Sequence, residues 1–199
     1  MSRAAITRSF PLAIKGMRAW RDDRASQIVE FALSLPLLVL FVLGIFDFSN
    51  ALSLKQKLTN AAREGARVAA SDAASDLSNP STVVPASVSD AFQVVDNYLL
   101  SEKINDCGLQ GSTPPAPTGL KWTYTATGSG CPGAGITLLI DRGCTSVMTD
   151  GAGTVNLIGT CVTINYAYKW EFNNVASGLG WTGSGPSLLT ATAGSFNEN

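Results

Sequence analysis

The sequence predicts an α+β protein in which a long amino-terminal transmembrane and stalk helix precedes a domain with a small antiparallel sheet. Residues 28–48 form an apolar run that, at about 1.5 Å per residue, crosses a hydrocarbon core of roughly 30 Å. Beyond residue 120 the sequence changes to short segments rich in aromatic and β-branched residues, which is typical of strands. These two observations together predict the fold class.

Three parts follow from the position of the apolar run: a leader at residues 1–25, the transmembrane and stalk helix at 26–72, and an α+β domain at 73–199. The leader is basic, and basic residues before an apolar helix keep its amino end in the cytoplasm. We therefore expect residues 73–199 to face the periplasm or the cell exterior. The basic residues of the leader are Arg3, Arg8, Lys15, Arg18, Arg21 and Arg24.

Small residues continue the helix beyond the membrane in two rows at a spacing of four. Such rows permit close approach of another backbone. They can pack on the chain's own domain or on another helix, and both uses are compatible because different turns of one helix can serve each. We expect the helix to end between residues 70 and 74. The rows are Ala61, Gly65 and Ala69, and Ala62, Ala66 and Ala70.

Periodicity predicts the elements of the domain. A second helix is expected around Val88–Leu99, with Ser87 or Ser89 as its cap. A loop is expected at 108–119 and a flexible connection at 177–186. Strands are expected at 121–127, 136–141, 154–158, 162–172 and 187–193.

Four cysteines, Cys107, Cys131, Cys144 and Cys161, all follow the apolar run. Their wide spacing and the absence of histidine favour two disulfides in an oxidising compartment over a metal site. Three connectivities are possible. We favour Cys144 with Cys161, because they flank one predicted hairpin, which leaves Cys107 with Cys131.

The composition argues against several classes of function. A net charge of −1 with dispersed basic residues does not indicate nucleic-acid binding. The lack of histidine and of paired carboxylates predicts no catalytic site, no metal and no cofactor, so we expect no enzyme. The sequence Asp141–Cys144 places a thiol beside Arg142, yet a structural oxidised cysteine is the favoured interpretation.

Glu30 and Pro36 are the two unusual residues of the apolar run. A carboxylate in an apolar helix is costly unless it lies at the interface or finds a positive partner, so Glu30 is a candidate functional residue. The alternative is an interfacial residue whose carboxylate reaches water. Pro36 removes the N–H that would bond the Ala32 carbonyl and should bend or loosen the helix, which either aids extraction from the membrane or is simply tolerated.

Three blocks of the sequence resemble a known family. They are 25–36 (Ala-Ser-Gln-Ile-Val-Glu-Phe-Ala-Leu-Ser-Leu-Pro), 44–48 (Gly-Ile-Phe-Asp-Phe) and 60–70 (Asn-Ala-Ala-Arg-Glu-Gly-Ala-Arg-Val-Ala-Ala). In this order they are similar to the TadE-like family, minor pseudopilins of the tight adherence (Tad, Flp) branch of type IV pili. The closing 188–193 is similar to the family's last strand.

The resemblance implies a pilin-like fold and a maturation step. A prepilin peptidase would cut between Ala25 and Ser26, where the family usually has glycine in place of Ala25. Glu30 would then be fifth in the mature chain and would pair with the new amino terminus of a neighbouring subunit. The implied partners are other pilins or pseudopilins, the Tad inner-membrane platform and the membrane itself, and the implied location is the inner membrane, in or near a pilus.

Two alternatives remain open from the residues. One is an uncut single-pass component of the same apparatus, and the other is a secreted periplasmic binding module. For the second, Ser49-Asn50-Ala51 weakly resembles a signal-peptidase site that would leave Leu52 as the amino terminus. The aromatic residues Trp170 and Trp181 are expected to pack in the core, with contact to a partner as the alternative.

Overall fold

The computed structural model describes residues 23–78, 84–113, 116–150, 153–178 and 187–197. The predicted fold class is confirmed: a long apolar helix precedes a small antiparallel sheet of four strands. The chain forms two compact units, Met1–Leu43 and Gly44–Asn199. The second unit therefore contains the carboxyl-terminal half of the long helix as well as the sheet.

Helix α1 spans Asp23–Ser71 and continues through Pro36 without a break. It ends within the range that the sequence predicts. A short 3-10 helix, Ala74–Ser78, follows it.

Helix α2 spans Ala86–Ser101. The predicted caps, Ser87 and Ser89, are wrong, because the helix begins earlier, with Pro85 at the N-cap position and no capping bond from that residue's own side chain. Instead the Asp76 carboxylate accepts a hydrogen bond of 2.9 Å from the Ser87 N–H. A carboxylate from a preceding element thus supplies the acceptor that a local cap would provide. A 3-10 turn, Leu109–Gly111, lies inside the predicted loop at 108–119.

The four strands pair in sequence order, β1 to β4, and every pair is antiparallel. β2 is longer than predicted, and the segment 154–158 is the beginning of β3 rather than a separate strand. The two strands pair along almost their whole length because they form one long hairpin. The bounds are β1 Lys121–Ala126, β2 Ile136–Asp150, β3 Gly153–Ala167 and β4 Leu188–Phe196.

The predicted strand at 162–172 is wrong at its carboxyl end. β3 stops at Ala167, and Glu171–Gly178 forms a third helix, α3. The alternation of large and small side chains continues to Trp170, but a contact with α1, given below, redirects the chain there. The predicted connection at 177–186 lies mostly outside the described residues, as does Trp181.

The core lies between one face of the sheet and the two helices α1 and α2. Phe92 of α2 stacks on Tyr124 of β1 with ring centroids 4.4 Å apart. On β3, Val162, Ile164 and Tyr166 point into this core, as the period of two predicts. The opposite face is lined by polar side chains, among them the hydrogen-bonded pair Thr163 and Thr192.

Candidate assembly helix and its anchoring contacts

The amino-terminal half of α1 exposes apolar side chains around its whole circumference. Among the described residues, α1 is the one helix that is long and apolar enough to cross a membrane. This surface needs lipid or other apolar helices around it, because water does not solvate it favourably. The exposed large residues before residue 44 are Ile28, Val29, Phe31, Leu33, Leu35, Leu37, Leu38, Val39, Phe41, Val42 and Leu43.

The predicted processing and assembly residues lie at the start of this helix. Ala25 and Ser26 are within its first turn, and Ser26 and Glu30 are exposed. Within the described part of the chain, Glu30 has no hydrogen-bond or ion-pair partner. Its side chain is therefore available to a group from another molecule.

Asp47 lies at the end of the apolar run, and it is buried, with 5% of its surface exposed. The Tyr168 hydroxyl donates a hydrogen bond of 2.8 Å to Oδ1 of Asp47. The Phe172 N–H donates one of 3.0 Å to Oδ2. Phe172 lies in the first turn of α3, so Asp47 caps a helix that follows it by more than a hundred residues, and a negative charge at a helix amino end is favourable.

Gly44 lies one turn before Asp47 and completes this contact. A Cβ atom placed on Gly44 would lie 4.0 Å from the Phe172 ring, so the ring faces Gly44 and leaves room for a methyl group. Burial, together with the hydrogen bond to Asp47, raises the pKa of Tyr168 to about 12. The hydroxyl thus stays protonated and remains a donor to Asp47.

Residues 44–48, one of the three blocks that carry the family resemblance, also contain a sequence signal for this contact. An acidic residue at the end of an apolar run needs hydrogen-bond donors wherever it is not in water. The donors themselves, Tyr168 and the Phe172 N–H, lie in a segment whose alternation predicts a strand. No local pattern connects the two segments.

The two rows of small residues pack on the chain's own domain. Gly65 is the tightest point: an added Cβ would lie 2.6 Å from Val95 Cγ2 of α2 and 3.7 Å from Val162 Cγ2 of β3. The small residues allow α1 to approach both α2 and the sheet closely. The other members, Ala61, Ala62, Ala66, Ala69 and Ala70, are all buried.

Arg142 closes the carboxyl end of α1. This side chain is 1% exposed. Its Nη1 donates to the Ala69 carbonyl and, at 2.9 Å, to Thr160 Oγ1, while Nη2 donates to the Asp72 carbonyl at 3.3 Å. The last turn of α1 contains no basic residue, so a strand residue satisfies its free carbonyls. Burial lowers the pKa of Arg142, and the nearby charges of Asp72 and Asp76 oppose this shift.

A β-bulge after Asp141 explains the positions of Arg142 and Cys144. Asp141 pairs with Cys161, but Cys144 pairs with Gly159, so β2 contains one extra residue. Arg142 keeps the inward orientation of Ile140, whereas the extra residue turns Cys144 to the face that Cys161 occupies. The bulge therefore supplies both the buried cap and a disulfide across β2 and β3.

Two disulfides join the cysteines: Cys107 with Cys131, and Cys144 with Cys161. Their Cα atoms are 5.5 and 5.7 Å apart, respectively. This is the connectivity that the sequence favours. The thiol of Cys144 is consumed in the second bond, so its proximity to Arg142 in sequence creates no reactive group.

A carboxyl pair is formed by the buried Asp96 of α2 and the half-buried Asp106. Asp96 is 2% exposed. Burial, followed by the charge and hydrogen bond of Asp106, raises the pKa of Asp96. Asp106 also accepts a hydrogen bond from the Leu109 N–H at 3.1 Å. The pair is therefore best satisfied when Asp96 is protonated.

The comparison with known families matches part of α1. A family model described as TadE-like protein matches residues 25–67, which include Glu30, Gly44, Asp47 and Gly65. No curated protein and no solved structure matches the chain. TadE-like components of pili are structural proteins. The resemblance seen in the sequence is thus confirmed over residues 25–67, a segment similar to TadE-like proteins.

Proposed function

We propose that the protein is a minor pseudopilin-like component of a Tad-type pilus assembly or secretion system, with a structural rather than an enzymatic role. The observation that carries this proposal is the amino-terminal half of α1, which exposes apolar residues on all sides and one carboxylate, Glu30. An apolar helix with an unpaired carboxylate is suited to lateral association with other helices. It lies in the TadE-like segment.

The role of Glu30 follows from its distance to the proposed cut. A prepilin peptidase that cleaves between Ala25 and Ser26 would create an α-amino group one helical turn before Glu30, about 6 Å along the axis. The amino group of one subunit and the carboxylate of a neighbour would neutralise each other among apolar helices, where either charge alone is costly. The pair would set the register of adjacent subunits.

The proposed topology follows from the leader. Residues 1–25 would remain in the cytoplasm, α1 would cross the inner membrane once, and the domain at 73–199 would lie in the periplasm. An oxidising periplasm is the compartment in which the Cys107–Cys131 and Cys144–Cys161 disulfides persist. The proposed partners are the prepilin peptidase, other pilins or pseudopilins and the Tad inner-membrane platform.

A charge-neutral variant tests the role of Glu30. We expect Glu30→Gln to abolish co-purification with the major pilin and to reduce pilus assembly, because the amide provides no charge to neutralise an amino terminus. Glu64→Gln is the matched control, since Glu64 is an exposed residue of the same helix, 3.9 Å from Arg67. Unchanged assembly and co-purification in Glu30→Gln would contradict the proposal.

The intact mass of the membrane-extracted protein tests processing. A chain that begins at Ser26 supports the pseudopilin proposal, and one that begins at Met1 supports the uncut single-pass alternative. A chain that begins at Leu52 would refute both. The last outcome is not expected, because α1 continues through Ser49–Ala51 and Ala51 is buried in the domain.

A further inference from the structure

We propose that a surface of the domain, here called the aromatic edge, contacts the phospholipid bilayer. It is formed by Tyr168, Lys169, Trp170 and Leu188. This inference rests on the proposed membrane anchoring by α1 and goes beyond it. It assigns a second contact with the lipid, made by residues that follow the end of α1 by 97 or more positions in the sequence.

The position of Asp47 in the sequence is the first step of the argument. It lies in the last turn of the apolar run at 28–48, so a membrane-spanning α1 places it at or near the end of the hydrocarbon core. The residues around it, Ile45, Phe46 and Phe48, are 68%, 65% and 56% exposed. The exposed apolar surface of α1 therefore extends past Asp47. Groups in contact with Asp47 must then lie near the same depth.

The hydrogen bonds of Asp47 are the second step. A carboxylate near lipid needs donors from the protein, because water is scarce there. Asp47 has such donors for both oxygens, the Tyr168 hydroxyl and the Phe172 N–H. The segment that supplies them is therefore held at the depth where the apolar run ends.

The chemistry of that segment is the third step. Tyr168 and Trp170 pack edge to face with ring centroids 4.9 Å apart. Trp and Tyr are the residues enriched at membrane interfaces, where the ring contacts acyl chains and the polar group faces the headgroups. Lys169 between them is exposed, and its positive charge is complementary to the negative charge of lipid phosphates.

The surface beside Trp170 contains a largely apolar hollow. A hollow of about 610 Å³ is bordered by Tyr168, Lys169, Trp170 and Leu188. Leu188 is 47% exposed at its rim. The remaining borders are mostly small or apolar, namely Pro132, Gly133, Ala134, Ala167, Asn173 and Ser187.

Quenching of tryptophan fluorescence by brominated phosphatidylcholine tests the proposal on the full chain in vesicles. All variants are made in a Trp20→Phe, Trp181→Phe background, so that Trp122 and Trp170 are the two indoles that remain. We expect Trp170→Phe to lose the bromine-quenched component, and bromine near the headgroup end of the acyl chain to quench more strongly than bromine at the chain end. Trp122→Phe is the control, because Trp122 is buried in the core and 1% exposed.

A spin label provides a second measurement that does not alter an aromatic residue. We expect a nitroxide label at Lys169→Cys to have a higher collision frequency with dissolved oxygen, which enters the bilayer, than with a nickel chelate, which stays in water. A label at Asn97→Cys, an exposed position of α2, should show the reverse order.

The outcomes separate this inference from the anchoring on which it rests. Failure of the protein to float with vesicles would overturn the membrane anchoring. Flotation with unchanged bromine quenching in Trp170→Phe, or with a label at residue 169 as water-accessible as the label at 97, would overturn the aromatic edge alone.

Discussion

The two halves of α1 are one continuous helix with opposite surroundings. Before residue 44 the large apolar side chains are exposed, whereas beyond residue 50 the small residues are buried in the domain. Residue size accounts for the difference: Gly65 and the alanines let α2 and the sheet approach the backbone, while Leu and Phe side chains provide a broad surface for lipid or other helices. Helix length and hydropathy alone therefore do not define which surroundings each half of α1 has.

The largest expected effect is at the end of the buried half. We expect Arg142→Ala to lower the free energy of unfolding by about 3 to 5 kcal/mol, because it removes a buried charged donor and leaves the terminal carbonyls of α1 unsatisfied. Urea unfolding of the detergent-solubilised protein, followed by Trp122 fluorescence, measures the change. Arg67→Ala is the control, since the Arg67 side chain is 79% exposed; equal effects would contradict the capping role.

Two glycines of α1, Gly44 and Gly65, differ in how closely neighbouring side chains approach the backbone. Gly65→Ala should destabilise by about 1 to 3 kcal/mol, because the added Cβ overpacks against Val95. Gly44→Ala should be neutral or stabilising, since its Cβ meets only ordinary contacts with Phe172 and alanine favours helices. Both changes are compared by urea unfolding. A destabilisation by Gly44→Ala as large as that by Gly65→Ala would show that glycine itself, and not close packing, matters.

At the boundary between the halves, Asp47→Ala should destabilise by about 1 to 2 kcal/mol, because α3 loses its cap and the Tyr168 hydroxyl loses its acceptor. Amide hydrogen exchange should rise locally, within residues 168–178. Asp90→Ala is the control, as Asp90 is an exposed acidic residue of α2. Unchanged exchange in α3 would break the proposed connection between the end of the apolar run and this segment.

The smallest expected effect depends on pH. It concerns Asp96 of α2, the helix that packs against the part of α1 beyond residue 50. The pKa of Asp96 in the folded chain is raised above the ordinary value of 3.8. At a pH between the pKa of the unfolded chain and that of the folded chain, the folded chain therefore binds more protons at this group. Stability from this group is present below the unfolded pKa and falls as pH rises through the folded pKa. We expect Asp96→Asn to raise the melting temperature at neutral pH and to lose this advantage under acid conditions.

Thermal melts of Asp96→Asn and Asp90→Asn across this pH range measure the effect. The exposed Asp90 provides the matched change of charge on the same helix. A constant difference between the Asp96 variant and the unmodified protein at every pH would argue against the carboxyl pair.

The sequence by itself determined the features that rest on local periodicity. The apolar run, the end of α1 near residue 71 and the strands around Lys121, Ile136 and Val162 follow from spacing and composition. So does the burial of the two rows of small residues, because their spacing of four leaves them on neighbouring faces of one helix. The position of Glu30 on an apolar helix is likewise a local property.

Only the tertiary structure decided the features that join distant segments. β3 ends at Ala167 against its own alternation, because Asp47 holds Tyr168 and the Phe172 N–H and favours α3 there. Arg142 caps a helix from a strand, and the bulge beside it decides the face on which Cys144 lies. These outcomes depend on hydrogen bonds between residues separated by 70 or more positions, which no local pattern of side chains encodes.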